Sequence, residues 1–73
     1  MTPSQRIGQL VRARRQFLQL RQRDLAELAG IGLRGLSAIE SGRGNPTLSQ
    51  LSEIAGVLGL EVTLTQKPLH AES

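Results

Sequence analysis

Cysteine is absent from the 73 residues, as are tryptophan and tyrosine, and Phe17 is the only aromatic side chain. Without cysteine there is neither a disulfide framework nor a thiolate metal site. With one aromatic ring, single-strand binding by stacking of successive bases is excluded as a design. No apolar run approaches the length that crosses a bilayer, and the first residues lack a secretory pattern, so a soluble cytoplasmic chain is expected. Groups for acid–base or metal chemistry are equally scarce. The one histidine is His70, and Glu53 and Glu61 have no partner at catalytic or ligating spacing. The glycine-rich run Gly30-Ile-Gly-Leu-Arg-Gly35 has no strand before it and no Lys-Ser/Thr after it, both of which a phosphate loop needs. An enzyme, a cofactor and a metal are therefore not expected.

What is present is charge, placed unevenly. All eight arginines lie within residues 1–43 against Asp24, Glu27 and Glu40, a net of +5; residues 44–73 hold Lys67 against Glu53, Glu61 and Glu72, a net of −2. A basic half attracts phosphates, with an affinity that falls as salt rises. Arginine on a solvated helix surface would give the same count, so the charge needs a motif beside it.

The motif lies in residues 22–42. Leu25, Ala26 and Ala29 form one helical apolar face, and Ile31, Leu36 and Ile39 form a second, joined by Gly30-Ile-Gly32. Two amphipathic segments joined by so short a turn must cross steeply. That is a helix-turn-helix, whose second helix enters the major groove of duplex DNA.

The rest of the chain frames this motif. Thr2-Pro-Ser-Gln5 predicts a capping box with Pro3 at the first helical position. Ile7, Leu10, Val11 and Leu18 then recur with helical spacing and predict a first helix reaching about Leu18. Helix 2 is expected from Gln22 to Gly30. Helix 3 is expected from Leu33 to Ser41, with Gly42 as a left-handed cap. Residues 43–46 read as a loop. Thr47-Leu-Ser-Gln50 is a second capping box, opening a fourth helix with Leu48, Leu51, Ile54, Ala55 and Leu58 inward, ended by Gly59. Glu61-Val-Thr-Leu-Thr65 alternates with period two and reads as a strand. Lone in the chain, it calls for antiparallel pairing with its copy across a dimer axis, through Glu61, Val62, Thr63, Leu64 and Thr65. The alternative is an extended arm folded back on helix 4. The expected organisation is a DNA-binding domain over residues 1–60, a dimerising strand over 61–65 and a flexible tail over 66–73.

Leu-Val-Arg-x-Arg-Arg15, Gln22-x-x-Leu-Ala-x-x-Ala-Gly30, Leu36-Ser-x-Ile-Glu-x-Gly42 and Leu51-x-x-Ile-Ala-x-x-Leu-Gly59 follow one another in register. Together they resemble the Cro/C1-type (XRE) helix-turn-helix family over roughly residues 7–60. The resemblance implies an all-α fold, a compact lambda repressor-like bundle of four to five helices, here followed by the short strand. Within that family, the fourth helix followed by Leu-Glu-Val-Thr-Leu-Thr65 resembles the HipB-type antitoxins. Those imply a homodimer that binds double-stranded operator DNA and neutralises a HipA-type kinase toxin.

Site residues follow from the resemblance and from helix geometry. Gln22 is implied as a phosphate clamp at the start of helix 2, where free amides also favour an anion. Helix 3 should present Gly32, Leu33, Arg34, Ser37 and Ala38 to DNA. Arg34 alone can reach guanine with two hydrogen bonds, and it can equally bind a phosphate. Leu33 can touch a thymine methyl or simply be exposed. Arg43, Asn45 and Thr47 are implied as loop contacts to phosphates, Arg43 the strongest. Arg15 and Glu40 resemble a pair known in phage repressors of the family, and imply an ion pair tying helix 1 to helix 3. Phe17 and Leu28 suit core packing, or less commonly a partner surface. Gly32 and Gly35 stand where the family often has Ser or Thr, and Arg21 where it has a cap. Direct readout should therefore be thin, with DNA shape and dimer spacing contributing.

Three functions fit. The first is a repressor that doubles as an antitoxin. The second is a stand-alone phage-type or restriction-controller regulator. The third is an interaction domain that has lost DNA reading.

Overall fold

The computed structural model describes residues 1–69; His70 and the last three residues of the expected tail lie outside the described residues. Four helices follow in order: α1 Pro3–Phe17, α2 Gln22–Ala29, α3 Leu33–Glu40 and α4 Leu48–Val57. Two of the starts are closed by side chains. The Thr2 Oγ1 accepts from the Gln5 N–H at 3.1 Å while Gln5 Oε1 accepts from the Thr2 N–H at 2.9 Å. Thr47 and Gln50 repeat the exchange at 3.0 Å in both directions. Each box satisfies two amide groups that a helix start otherwise leaves bare. Arg21, before α2, has no acceptor to offer. Only the reciprocal half forms there, with Asp24 Oδ2 accepting from the Arg21 N–H at 2.8 Å. Gly30 and Gly42 turn the chain out of α2 and α3 at φ of 71° and 80°, where a side chain would be strained.

Val11, Leu25, Ala26, Ala29, Leu36, Ile39, Ile54 and Leu58 form the core, edged by Leu20, Ile31 and Val57. Helix α1 packs on α3, and α2 packs on both α3 and α4. Leu25, Leu36, Ile54 and Leu58 are fully covered, worth about 1.5–3 kcal/mol each in apolar burial. For so short a chain this small set carries much of the stability.

Two expectations are corrected. Leu48, expected inward, is 67% exposed, and of the four periodic apolar residues at α1 only Val11 is buried, Leu10 being 60% exposed. Periodicity marks a stripe, but α1 buries only the part that α3 covers. Phe17 (72% exposed) and Leu28 (64% exposed) lie on the surface rather than in the core. The Arg14 guanidinium sits 5.1 Å from the Phe17 ring centre, so that ring has a cationic neighbour in place of an apolar one. Glu61–Thr65 is exposed and joins no sheet within the chain. A ladder needs a second strand, and the described residues of one chain supply none. The first part of the arm, Leu60 to Thr63, borders a groove shared with Leu51, Ile54 and Leu58 of the α4 region.

No helix among the described residues is long and apolar enough to cross a membrane.

Candidate nucleic-acid interface

The short turn through Gly30, Ile31 and Gly32 sets α3 across α2. Leu36 and Ile39 are buried on the inner side of α3, and Glu40 is buried with them. At 100° per residue, the side opposite carries Arg34, Ser37, Ala38 and Ser41. Arg34 and Ser41 are exposed and Ser37 and Ala38 half-buried, with Leu33 45% exposed at the edge. The outer face therefore offers one guanidinium, two hydroxyls and small side chains, a surface that backbone and bases can approach closely.

Arg43 stands just past this helix. Its Nε donates to Ser41 Oγ at 3.0 Å, and Ser41 Oγ donates in turn to the Ala38 carbonyl at 2.9 Å. The backbone N–H groups of Arg43 and Gly44 also donate to that carbonyl, at 2.9 and 3.0 Å. The loop is thus clamped to the end of α3, and the exposed Arg43 guanidinium is held beside the outer face. Asn45 is exposed and lines an open concavity with Gly32, Gly35 and Ala38. Thr47 is exposed, but its oxygen already caps α4. Gly32 caps α3 with no side chain, so the first amides of α3 have no side-chain acceptor.

Behind the outer face lies a buried polar network. Arg15 donates to Glu40 through Nε (2.7 Å to Oε2) and Nη2 (3.0 Å to Oε1), and through Nη1 to the Leu20 carbonyl at 2.9 Å. Both side chains are nearly covered, at 11% and 4% exposure. The hydrogen bonds to Glu40 hold the Arg15 guanidinium above even its ordinary high pKa. The same Glu40 Oε1 accepts from Gln22 Nε2 at 3.1 Å. Gln22 is therefore not a free first-turn side chain. It is fastened from behind to the ion pair, with its amide oxygen and second N–H left over. Among the described residues no buried side-chain nitrogen or oxygen lacks a partner.

Three further residues shape this site: Arg12 and Arg14, which the motif contains without a role for either, and Gly8, which lies outside it. Gly8 is buried where α1 crosses α3. A Cβ there would collide with the Ile39 carbonyl oxygen and lie 2.7 Å from that of Glu40. A glycine in mid-helix costs about 1 kcal/mol against alanine, and that cost was the available signal. Arg14 donates to the Leu58 carbonyl at 2.9 Å and ties α1 to the end of α4. Arg12 is exposed above Glu40 and Ser41 and lines the clefts on both sides of them. No three potential metal-ligating side chains cluster among the described residues.

Known proteins resemble the chain in the same places. A helix-turn-helix family model matches residues 11–64. The immunity repressor protein of Bacillus phage phi105 is 42% identical over 57 residues, covering 78% of this chain and 40% of that protein. An uncharacterized HTH-type transcriptional regulator of Sinorhizobium fredii is 35% identical over 58 residues, covering 80% of this chain and 76% of that one. The chain thus corresponds to less than half of the phage protein's length. With the motif, the four-helix bundle and these relatives in agreement, the chain belongs to the Cro/C1-type helix-turn-helix family, whose members are DNA-binding regulators of transcription and not enzymes.

Proposed function

We propose that the chain is a sequence-specific transcriptional repressor acting as a homodimer on double-stranded operator DNA, a stand-alone regulator of the phage type located with the nucleoid. The observation that carries this is the outer face of α3. It sets Arg34, Ser37 and Ala38 outward, with Arg43 fastened alongside, on the half of the chain with a net charge of +5. In this reading α3 lies in the major groove. Arg34 reads one base and Leu33 meets a thymine methyl, while Gln22, Arg43, Asn45 and Thr47 hold phosphates. The backbone at Gly32 approaches the duplex closely. Glu61–Thr65, which pairs with no strand of its own chain, pairs with the same segment of a second copy and sets the two reading helices at a fixed spacing.

Selection of binding sites from a random duplex library tests this directly. A palindrome with half-sites about one helical turn apart is expected. Recovery of unrelated sequences with no shared half-site would refute sequence-specific reading.

The antitoxin reading adds a HipA-type kinase toxin as a second partner. It rests on the likeness of residues 47–65 to HipB-type proteins. The relatives named above are a phage repressor and a regulator, which fit the stand-alone reading at least as well. Co-expression with the product of the adjacent gene separates the two. A co-purifying kinase-like protein whose toxicity is suppressed supports the antitoxin, and its absence leaves the stand-alone regulator.

A further inference from the structure

Helix α1 turns one face toward the place where α4 ends. Ile7, Leu10, Arg14 and Phe17 follow at three- and four-residue steps and so share that face. Arg14 is the one charge among the four. Its Nε donates to the Leu58 carbonyl at 2.9 Å, across 44 positions of sequence. That carbonyl closes the last turn of α4, where free carbonyls gather partial negative charge and a cation is favoured. The Arg14 guanidinium lies 5.1 Å from the Phe17 ring centre, a contact that restrains its other side. Its Nη2 also lies alongside Gly59, where the chain leaves α4 at φ 72°, and stands 3.5 Å from the position a Cβ would take. The Leu60 N–H donates back to the Ala55 carbonyl at 2.8 Å. The joint between bundle and arm is therefore held twice, by backbone within α4 and by Arg14 from α1. Beyond the joint, Leu60 and Val62 border a groove with Ile7 and Leu10.

We infer that Arg14, backed by Phe17, is a positioning residue for operator spacing, because it fixes the direction in which the arm leaves the bundle. The inference rests on the homodimer proposed above, in which residues 61–65 of two copies pair, and it adds what holds each bundle relative to that pair. In such a dimer the joint at residues 58–60 lies between each reading helix and the paired arms. A joint free to swing would present the two α3 helices at many separations. A held joint presents one, and a single half-site spacing follows. In this role Arg14 touches neither base nor phosphate.

The test uses the palindromic duplex recovered by the selection above, together with versions whose half-sites are moved closer or further apart by a few base pairs. Affinities of the full chain are read by fluorescence anisotropy for wild type, Arg14→Gln, Phe17→Leu and Gln16→Ala. Wild type should favour its own spacing. In Arg14→Gln that preference, the ratio of affinities for native and shifted spacings, should shrink roughly three- to tenfold, the scale of one hydrogen bond. The lost positive charge weakens binding at every spacing alike and cancels in the ratio. Phe17→Leu should shrink the preference in the same direction but less, and it should stay folded because Phe17 is largely exposed. Gln16→Ala, exposed beside them on α1, should keep the preference. Sedimentation equilibrium should find all four proteins equally dimeric. A wild-type preference in Arg14→Gln overturns the inference, as does equal flattening in Gln16→Ala. A lowered urea midpoint with the preference intact also overturns it, since Arg14 would then stabilise and not position. A monomeric Arg14→Gln overturns it by making Arg14 part of the interface itself. If Arg14→Gln does not fold, Phe17→Leu decides, and a wild-type preference there overturns the inference. If wild type shows no spacing preference, the arm-paired dimer fails and this inference with it. If wild type has the preference and the Arg14 and Phe17 variants share it in full, the joint alone is refuted.

Discussion

The two sides of helix α1 differ in how completely one chain finishes them. Toward α3 everything is closed. Gly8 lets the backbones touch, Arg15 and Glu40 fill each other's hydrogen bonds, and Gln22 joins them. Toward α4 and the C-terminal segment the surface is apolar and open. Ile7, Leu10, Leu51, Leu60 and Val62 line a groove of about 270 Å³, and Leu64 beyond it is wholly exposed. A closed polar side serves the position of the reading helix. An open apolar side on a basic chain this small is a surface waiting for cover, and in the homodimer proposed above a second copy would supply that cover.

The largest expected effect breaks the closed side. Arg15→Ala strands the buried Glu40 carboxylate and leaves Gln22 as its one remaining side-chain donor. It should cost about 3–5 kcal/mol in urea unfolding, a large part of a small domain's stability. Replacing both partners with apolar residues of similar volume should recover most of that loss, because no charge is then left alone. A double-mutant cycle with no coupling would show that the ion pair adds nothing to the crossing.

The open side breaks differently. Val62→Asp places a charge on the extended arm without touching the core, since Val62 is 45% exposed in the single chain. The unfolding midpoint of the isolated chain should hold. The dimer dissociation constant should rise on the order of tenfold or more, because a buried valine is worth about 1.5–3 kcal/mol and a charge in its place costs further. Sedimentation equilibrium reads this, and a variant as dimeric as wild type would remove the arm from the interface.

Gly8→Ala asks how tight the closed side is. The added methyl meets backbone oxygens of Ile39 and Glu40, which cannot rotate away. Overpacking of this kind costs roughly 1–3 kcal/mol, against a gain of about 1 kcal/mol in helix propensity. A net loss in stability is expected by urea unfolding, together with weaker duplex binding as α3 is displaced. A stabilised variant would mean that the helices separate without cost.

How much of this was legible beforehand follows from which forces act locally. The caps Thr2 and Thr47, the stop at Gly42 and the buried faces of α2 and α3 depend on neighbours within a few residues, and the chain spells them out. The Arg15–Glu40 contact came through family likeness alone, since 25 residues separate the partners. Burial along α4 was misread at Leu48, because periodicity gives a face's direction and not the width that a neighbour covers. Phe17 and Leu28 misled for the same reason. Gln22's bond to Glu40 and Arg12's place above Glu40 arise only once three helices meet, so no local pattern could announce them.

The smallest expected effect concerns the glycine inside the reading helix. Gly35 lies in α3 with nothing within 4 Å of where a Cβ would stand, so packing does not demand it. Its φ is not in the left-handed range, so conformation does not demand it either. What remains is a cost of about 1 kcal/mol in helix propensity that evolution has left in place. In helical projection Gly35 sits about 100° from Arg34, at the edge toward Ala38 and Asn45 rather than at the centre of the outer face. Gly35→Ala should therefore raise stability by about 1 kcal/mol in urea unfolding and leave duplex affinity within about twofold of wild type. A stabilised protein that loses tenfold or more in affinity would place the DNA backbone against Gly35 itself. The edge beside Asn45 would then be part of the reading surface.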